Sequence, residues 1–108
     1  MQTRKGWQGF IVGALTLCAG MAAAQGYPAK PVRVISSGVG GGADIAARLL
    51  APGLSEALGQ QLVIDNRASG IIPGEVAART SPDGYSLLFY NNTLWAAPLI
   101  QKTSYDAV

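Results

Sequence analysis

Histidine is absent from this 108-residue sequence, cysteine occurs once, and charged residues make up only 13% of the chain. The lack of histidine excludes imidazole acid–base chemistry and imidazole metal ligands. The single Cys18 cannot form a disulfide framework or a thiolate metal cluster. The low charge, with 49% hydrophobic residues, also excludes a disordered acidic or basic tail. The length allows one domain at most.

Basic residues are as scarce as acidic ones over most of the chain. Arg4 and Lys5 account for two of the eight basic residues, and the remaining six are balanced by six acidic residues. No cluster of lysine and arginine appears beyond residue 24. A surface that binds nucleic acid needs such a cluster, so we expect no nucleic-acid partner.

The first 24 residues have the three parts of a secretory signal peptide. Arg4 and Lys5 precede an uncharged apolar stretch at residues 10–19, and Ala22, Ala23 and Ala24 supply the small residues that signal peptidase requires. A membrane anchor is the alternative, but the stretch falls short of the roughly 20 strongly apolar residues that span a bilayer. We therefore expect export to the periplasm, cleavage after residue 24 and no stable membrane insertion afterwards. Intact-mass analysis of the exported protein tests this, and a chain that still carries Arg4 and Lys5 would contradict it.

The sequence pattern of residues 25–108 predicts alternating strands and helices. Strands are expected at residues 32–36, 61–65 and 85–90, and helices at 44–58, 75–80 and 94–101. The first helix carries an apolar stripe and ends before Gly59, while Pro52 predicts a kink or a break within it. This order indicates an α/β fold with parallel strands and crossover helices. Ligands of such folds bind beyond the carboxyl ends of the strands, here residues 36–43, 66–74 and 91–93.

The glycine loop, residues 38–43, joins the first strand to the first helix and allows three interpretations. It fits the dinucleotide pattern G-x-G-x-x-A, with Asp65 placed to bind a ribose, which would indicate an oxidoreductase domain. Against this, Asp44 would repel a pyrophosphate, and an exported protein does not ordinarily meet free nicotinamide cofactor. Alternatively, the loop and helix N-terminus bind a small carboxylate, or the glycines only form a tight turn with Asp44 as the helix N-cap. Further polar candidates follow the third strand at Asn91, Asn92 and Thr93.

The mature chain resembles the N-terminal part of the extracytoplasmic solute receptors of tripartite tricarboxylate transporters. The resemblance extends over nearly all of residues 25–108, and the matching segments are YPAKPVRV (27–34), GGGADIAAR (40–48), LSEALGQ (54–60), DNR (65–67), VAAR (76–79), SPDGYSLL (81–88) and YD (105–106). Where the family usually has Pro-Phe-x-Pro-Gly-Gly, residues 36–41 of this chain read SSGVGG.

This resemblance implies a periplasmic binding protein with two α/β lobes of the flytrap type, of which residues 25–108 are part of the first. It implies capture of a small organic acid, typically a di- or tricarboxylate, and delivery to the membrane components of the transporter. It implies neither an enzyme nor a cofactor nor a metal. The family's carboxylate-binding loop corresponds to Ser37, Gly40, Gly41, Gly42 and Asp44, and the carboxylate interpretation of the helix N-terminus adds the backbone amide of Ala43 to these candidates.

Overall fold

Three parallel strands alternate with three helices in the computed structural model, which describes residues 26–68 and 70–107. In chain order the elements are β1 (Val32–Ser36), α1 (Gly42–Leu58), β2 (Leu62–Asn66), α2 (Ile72–Ala78), β3 (Ser86–Leu88) and α3 (Thr93–Ile100). The predicted α/β class is therefore confirmed. The expected signal peptide and Cys18 lie outside the described residues and stay predictions.

Strand β1 occupies the centre of the sheet, between β2 and β3. Ser36 lies opposite Asn66 of β2, and Ile35 lies opposite Leu88 of β3. Val32 and Ile35 are completely buried, as is typical of a strand covered on both sides. Since all three strands run in parallel, their carboxyl ends meet at one edge of the sheet.

Helix α1 begins two residues earlier than expected and is not broken by proline. Its N-cap is Gly41, and it ends at Leu58 before Gly59, whose φ of 67° is the left-handed conformation that glycine adopts at helix ends. Pro52 lies inside the helix without dividing it. Because proline has no amide hydrogen, Pro52 cannot donate the usual helical hydrogen bond to the Arg48 carbonyl. Pro52 and Arg48 are both exposed, so water has access to this part of the helix.

The face of α1 that packs on the sheet consists of small residues rather than the apolar stripe. Ala43, Asp44 and Ala47 are buried, and their short side chains let the helix approach the strands closely. The large apolar residues of α1 are all exposed: Ile45, Leu49, Leu50, Leu54 and Leu58. The periodicity thus predicted the helix, but it did not predict which face lies against the sheet.

Helix α2 and strand β3 differ from the expected bounds, whereas β2 lies only one residue later than expected. Helix α2 begins at Ile72, inside the stretch expected to be a loop, because Pro73 fits the first turn of a helix, where no intrahelical amide bond is needed. Strand β3 has three residues instead of six, since it pairs with β1 only from Ser86 to Leu88.

Helix α3 is continuous through Pro98, although a proline inside a helix leaves one carbonyl without its usual amide partner. That carbonyl belongs to Leu94, and the hydroxyl of Tyr105 donates a hydrogen bond to it at 2.9 Å. Tyr105 also packs against Gly74, where an added Cβ would lie 2.8 Å from the tyrosine ring. Tyr105 therefore replaces the hydrogen bond that Pro98 cannot donate, and it joins α3 to α2.

Across residues 26–68 and 70–107, none of the helices combines the length and hydropathy of a membrane span.

Candidate functional site

The glycine loop leaves the central strand at the carboxyl edge of the sheet and turns directly into α1. The Gly41 amide donates to the Gly38 carbonyl at 3.0 Å, which closes a tight turn. Gly40 has a φ of 82°, a conformation that glycine adopts without strain. The Gly41 amide is therefore used within the turn, and α1 begins at this edge of the sheet.

Two backbone amides at the start of α1 have no hydrogen-bond partner among the described residues and carry no side chain larger than a methyl group. The first helical bond runs from the Ile45 amide to the Gly41 carbonyl. The amides of Gly42 and Ala43 precede that bond, so the helix itself does not use them. A 17-residue helix adds positive potential at this end. The arrangement can bind a carboxylate through the amide of Gly42, which is exposed, and that of Ala43 beside it, which is buried.

Asp44 is buried behind the glycine loop and is fully engaged by protein groups. One carboxylate oxygen accepts from the Gly40 amide at 2.9 Å, and the other accepts from Arg48 Nε at 2.9 Å and Asn66 Nδ2 at 2.7 Å. The Asn66 amide and then the Gly40 amide lower the pKa of Asp44 below its usual range, and the Arg48 charge adds to this against the opposing effect of burial. The expectation that Asp44 is the N-cap is wrong: Gly41 is the N-cap, and Asp44, three residues later, reaches back to the loop.

Asn66 and Arg48 are site residues to which the sequence reasoning assigned no role. Asn66 is the last residue of β2, and its amide nitrogen also donates to the Ser37 carbonyl at 2.7 Å. Arg48 donates to the side-chain oxygen of Asn66 at 2.8 Å. The spacing of Asp44 and Arg48, one helical turn apart, was the available signal for their ion pair. No local pattern indicated the contact with Asn66.

Ser36 and Ser37 are the two residues just before the glycine loop, where the resembled family has proline and phenylalanine. Both serines are buried, and neither hydroxyl has a hydrogen-bond partner within the described part of the chain. Ser37 Oγ lies so close to Gly41 that a Cβ there would be 2.6 Å away. The side chain of Ser37 therefore lies against the loop at Gly41 and leaves no space there for a larger residue.

Asn91, Asn92 and Thr93 lie at the same edge of the sheet, after β3. The Phe89 amide donates to the Ile35 carbonyl, so this segment leaves the sheet beside the start of the glycine loop. Asn91 Oδ1 accepts from the Thr93 amide at 3.1 Å at the start of α3. Asn91 thus has a helix-capping contact, while the exposed side chain of Asn92 makes no hydrogen bond with any described residue.

The geometry does not favour the dinucleotide interpretation. Asp65, the proposed ribose ligand, is paired with Arg67 at 2.9 Å and Arg33 at 3.5 Å. The carboxylate of Asp44 lies on the Gly40 amide, where a pyrophosphate would need a positive environment. Both acidic side chains are therefore paired with groups of the protein itself instead of being available to a cofactor.

A surface groove and a group of metal-binding side chains would be the two alternatives to this site. A groove of about 460 Å³ lies between α1 and β2, but its wall includes Leu62, the first residue of β2, and Gln61 just before it, at the opposite end of that strand from the glycine loop. Among residues 26–68 and 70–107 there is no group of three or more Cys, Asp or Glu side chains able to hold a metal ion. The carboxyl edge of the sheet is therefore the candidate site.

Comparison with known proteins identifies the family. The model of the tripartite tricarboxylate transporter family receptor matches residues 46–108. The chain belongs to this receptor family. A UPF0065 protein of Bordetella bronchiseptica is 43% identical over an alignment of 98 residues that covers 86% of this chain and 29% of that protein. Protein BugT of Bordetella pertussis is 38% identical over 95 residues, 82% of this chain and 28% of BugT. The chain thus spans less than a third of the length of these two relatives.

Solved structures agree with the family assignment. An R. palustris protein solved with adipate is 38% identical, with a TM-score of 0.54, over 57% of this chain and 22% of that protein. The periplasmic binding protein BugD is 37% identical, with a TM-score of 0.54 and the same coverage of both chains. The α/β fold of this receptor-family chain is therefore the fold of periplasmic binding proteins.

Proposed function

We propose that this chain is part of a periplasmic solute-binding receptor that captures a small organic acid of the di- or tricarboxylate type. In this proposal, residues 1–24 direct export and residues 25–108 form part of the first of two lobes. The receptor binds its ligand without chemical conversion and delivers it to the membrane components of a tripartite tricarboxylate transporter. The family assignment and the greater length of the relatives support this proposal.

One observation carries the choice of ligand class: the unpartnered amides of Gly42 and Ala43 at the N-terminus of α1. Hydrogen bonds from such amides to a carboxylate are charge-assisted and therefore stronger than neutral ones. The amides are held by the sheet and the tight turn before the ligand arrives, so little ordering is needed on binding. The adipate named for the R. palustris protein is a dicarboxylate, which is consistent with this class of ligand.

Replacing Gly42 by valine tests the proposal directly. A Cβ at Gly42 meets no atom within 4 Å, so we expect the variant to fold, while its side chain occupies space beside the two amides. Losing a charge-assisted contact should weaken binding of the preferred acid by about 10- to 100-fold. The measurement is calorimetry with a panel of di- and tricarboxylates, and with a dinucleotide for comparison, on the full-length gene product.

Gly53→Val is the matched control, because it makes the same change in the same helix where an added Cβ also meets nothing within 4 Å. We expect it to leave acid binding unchanged. Unchanged acid binding by the Gly42→Val protein would mean that the glycines only form a turn. Dinucleotide binding without a response to any acid would overturn the receptor proposal.

A further inference from the structure

The side chain of Asn66 uses both ends of its carboxamide to connect three separate parts of the site. Its nitrogen donates to the Ser37 carbonyl before the glycine loop and to the Asp44 carboxylate after it, both at 2.7 Å. Its oxygen accepts from Arg48 on α1 at 2.8 Å. Only a carboxamide supplies two donors and an acceptor in this arrangement. Asn66 is thereby bonded to both flanks of the loop.

Asp44 extends this network to the loop itself. Its second oxygen accepts from the Gly40 amide, so the chain of contacts runs from β2 through Asn66 and Asp44 to the middle of the loop. A carboxylate so near the start of α1 would otherwise repel an anionic ligand. The hydrogen bond that Asn66 donates to Asp44 and the charge of Arg48, 2.9 Å away, offset that negative charge.

We propose that Asn66 is a positioning residue for acid binding: its carboxamide ties the glycine loop to the end of β2 and so sets where the Gly42 and Ala43 amides lie. This inference rests on the acid-binding function proposed above. Asn66 does not need to touch the ligand in order to act, because a loop displaced by even about 1 Å loses much of its binding geometry.

Replacing Asn66 by aspartate is the most direct test of this inference. Aspartate has nearly the same shape as asparagine, but it has an oxygen in place of the amide nitrogen that donates to Ser37 and Asp44. The new carboxylate would face both the Asp44 carboxylate and the Ser37 carbonyl. We expect acid affinity in the full-length gene product, measured by calorimetry, to fall about 10- to 100-fold. We also expect the Gly40 amide to exchange its hydrogen faster in NMR experiments, while the amides of β1 keep their protection.

Two further variants separate positioning from a general loss of stability. In Asp44→Asn/Asn66→Asp, one carboxylate and one carboxamide again face each other, so we expect part of the lost affinity to return. Gln61→Glu adds the same charge at an exposed position just before β2, about 17 Å from Asn66, and should leave affinity unchanged because exposed charges are screened over that distance.

The outcomes distinguish this inference from the proposed function. Acid binding that survives Asn66→Asp unchanged, with Gly40 exchange also unchanged, would contradict the inference alone. A loss of affinity that follows the melting temperature and is not recovered in the double variant would contradict it as well. If the unmodified protein binds no acid, the proposed function fails and the inference fails with it.

Discussion

Gly41→Ala is expected to abolish acid binding, a loss of at least about 100-fold, by forcing the glycine loop out of position. An added Cβ would lie 2.6 Å from Ser37 Oγ and 3.1 Å from the Gly38 carbonyl oxygen. That carbonyl accepts the Gly41 amide, so it cannot move away without opening the turn. Ser37 is only 4% exposed and has little room to retreat. Overpacking of this kind also costs about 1–3 kcal/mol of folding free energy.

Calorimetry and thermal melting of the full-length gene product measure the two effects of Gly41→Ala. Gly42→Ala is the matched control for stability, since a Cβ one residue further along meets nothing within 4 Å. Adding Ser37→Gly to Gly41→Ala removes the closest contact and should recover part of the stability. Full acid affinity in Gly41→Ala would show that the turn adapts and that its geometry does not control the site.

Residues 25–108 produced on their own are expected to self-associate at micromolar concentrations. Large apolar side chains of two helices lie exposed: Ile45, Leu49, Leu50, Leu54, Leu58, Trp95, Leu99 and Ile100. Strands β2 and β3 each have a single neighbour in the described sheet, and a strand edge of this kind pairs readily with other chains. Apolar surface of this extent on a small domain promotes association.

Sedimentation velocity over a range of concentrations measures this association. Leu49→Gln/Leu54→Gln removes two exposed apolar side chains of α1 and should shift the distribution towards the monomer, whereas Leu62→Gln, at a buried position, should unfold the segment. A monomeric segment with a sharp, reversible melting transition would contradict the expectation.

The order of elements could be predicted from local patterns, but their exact ends could not. The glycine at position 59 correctly marked the end of α1, because a left-handed C-cap depends on the residue itself. Pro52 and Pro98 did not break their helices, because the effect of a missing amide depends on which other group reaches the carbonyl. At Leu94 that group is Tyr105, 11 residues away, and no helical periodicity predicts such a contact.

The sequence by itself determined the α/β class, the parallel arrangement, the position of the glycine loop between a strand and a helix, and the family resemblance. These features depend on residues that are close together in the chain. The tertiary structure alone decided that the Gly40 amide donates to Asp44 and the Gly41 amide to the Gly38 carbonyl. It also decided that the amides of Gly42 and Ala43 have no partner among the described residues and that Asp44 meets Asn66. Asp44 and Asn66 are 22 residues apart, and they meet because β1 and β2 pair in parallel with Ser36 opposite Asn66. Such a register depends on the packing of the whole sheet, so the site's charges and free amides become visible only in the folded chain.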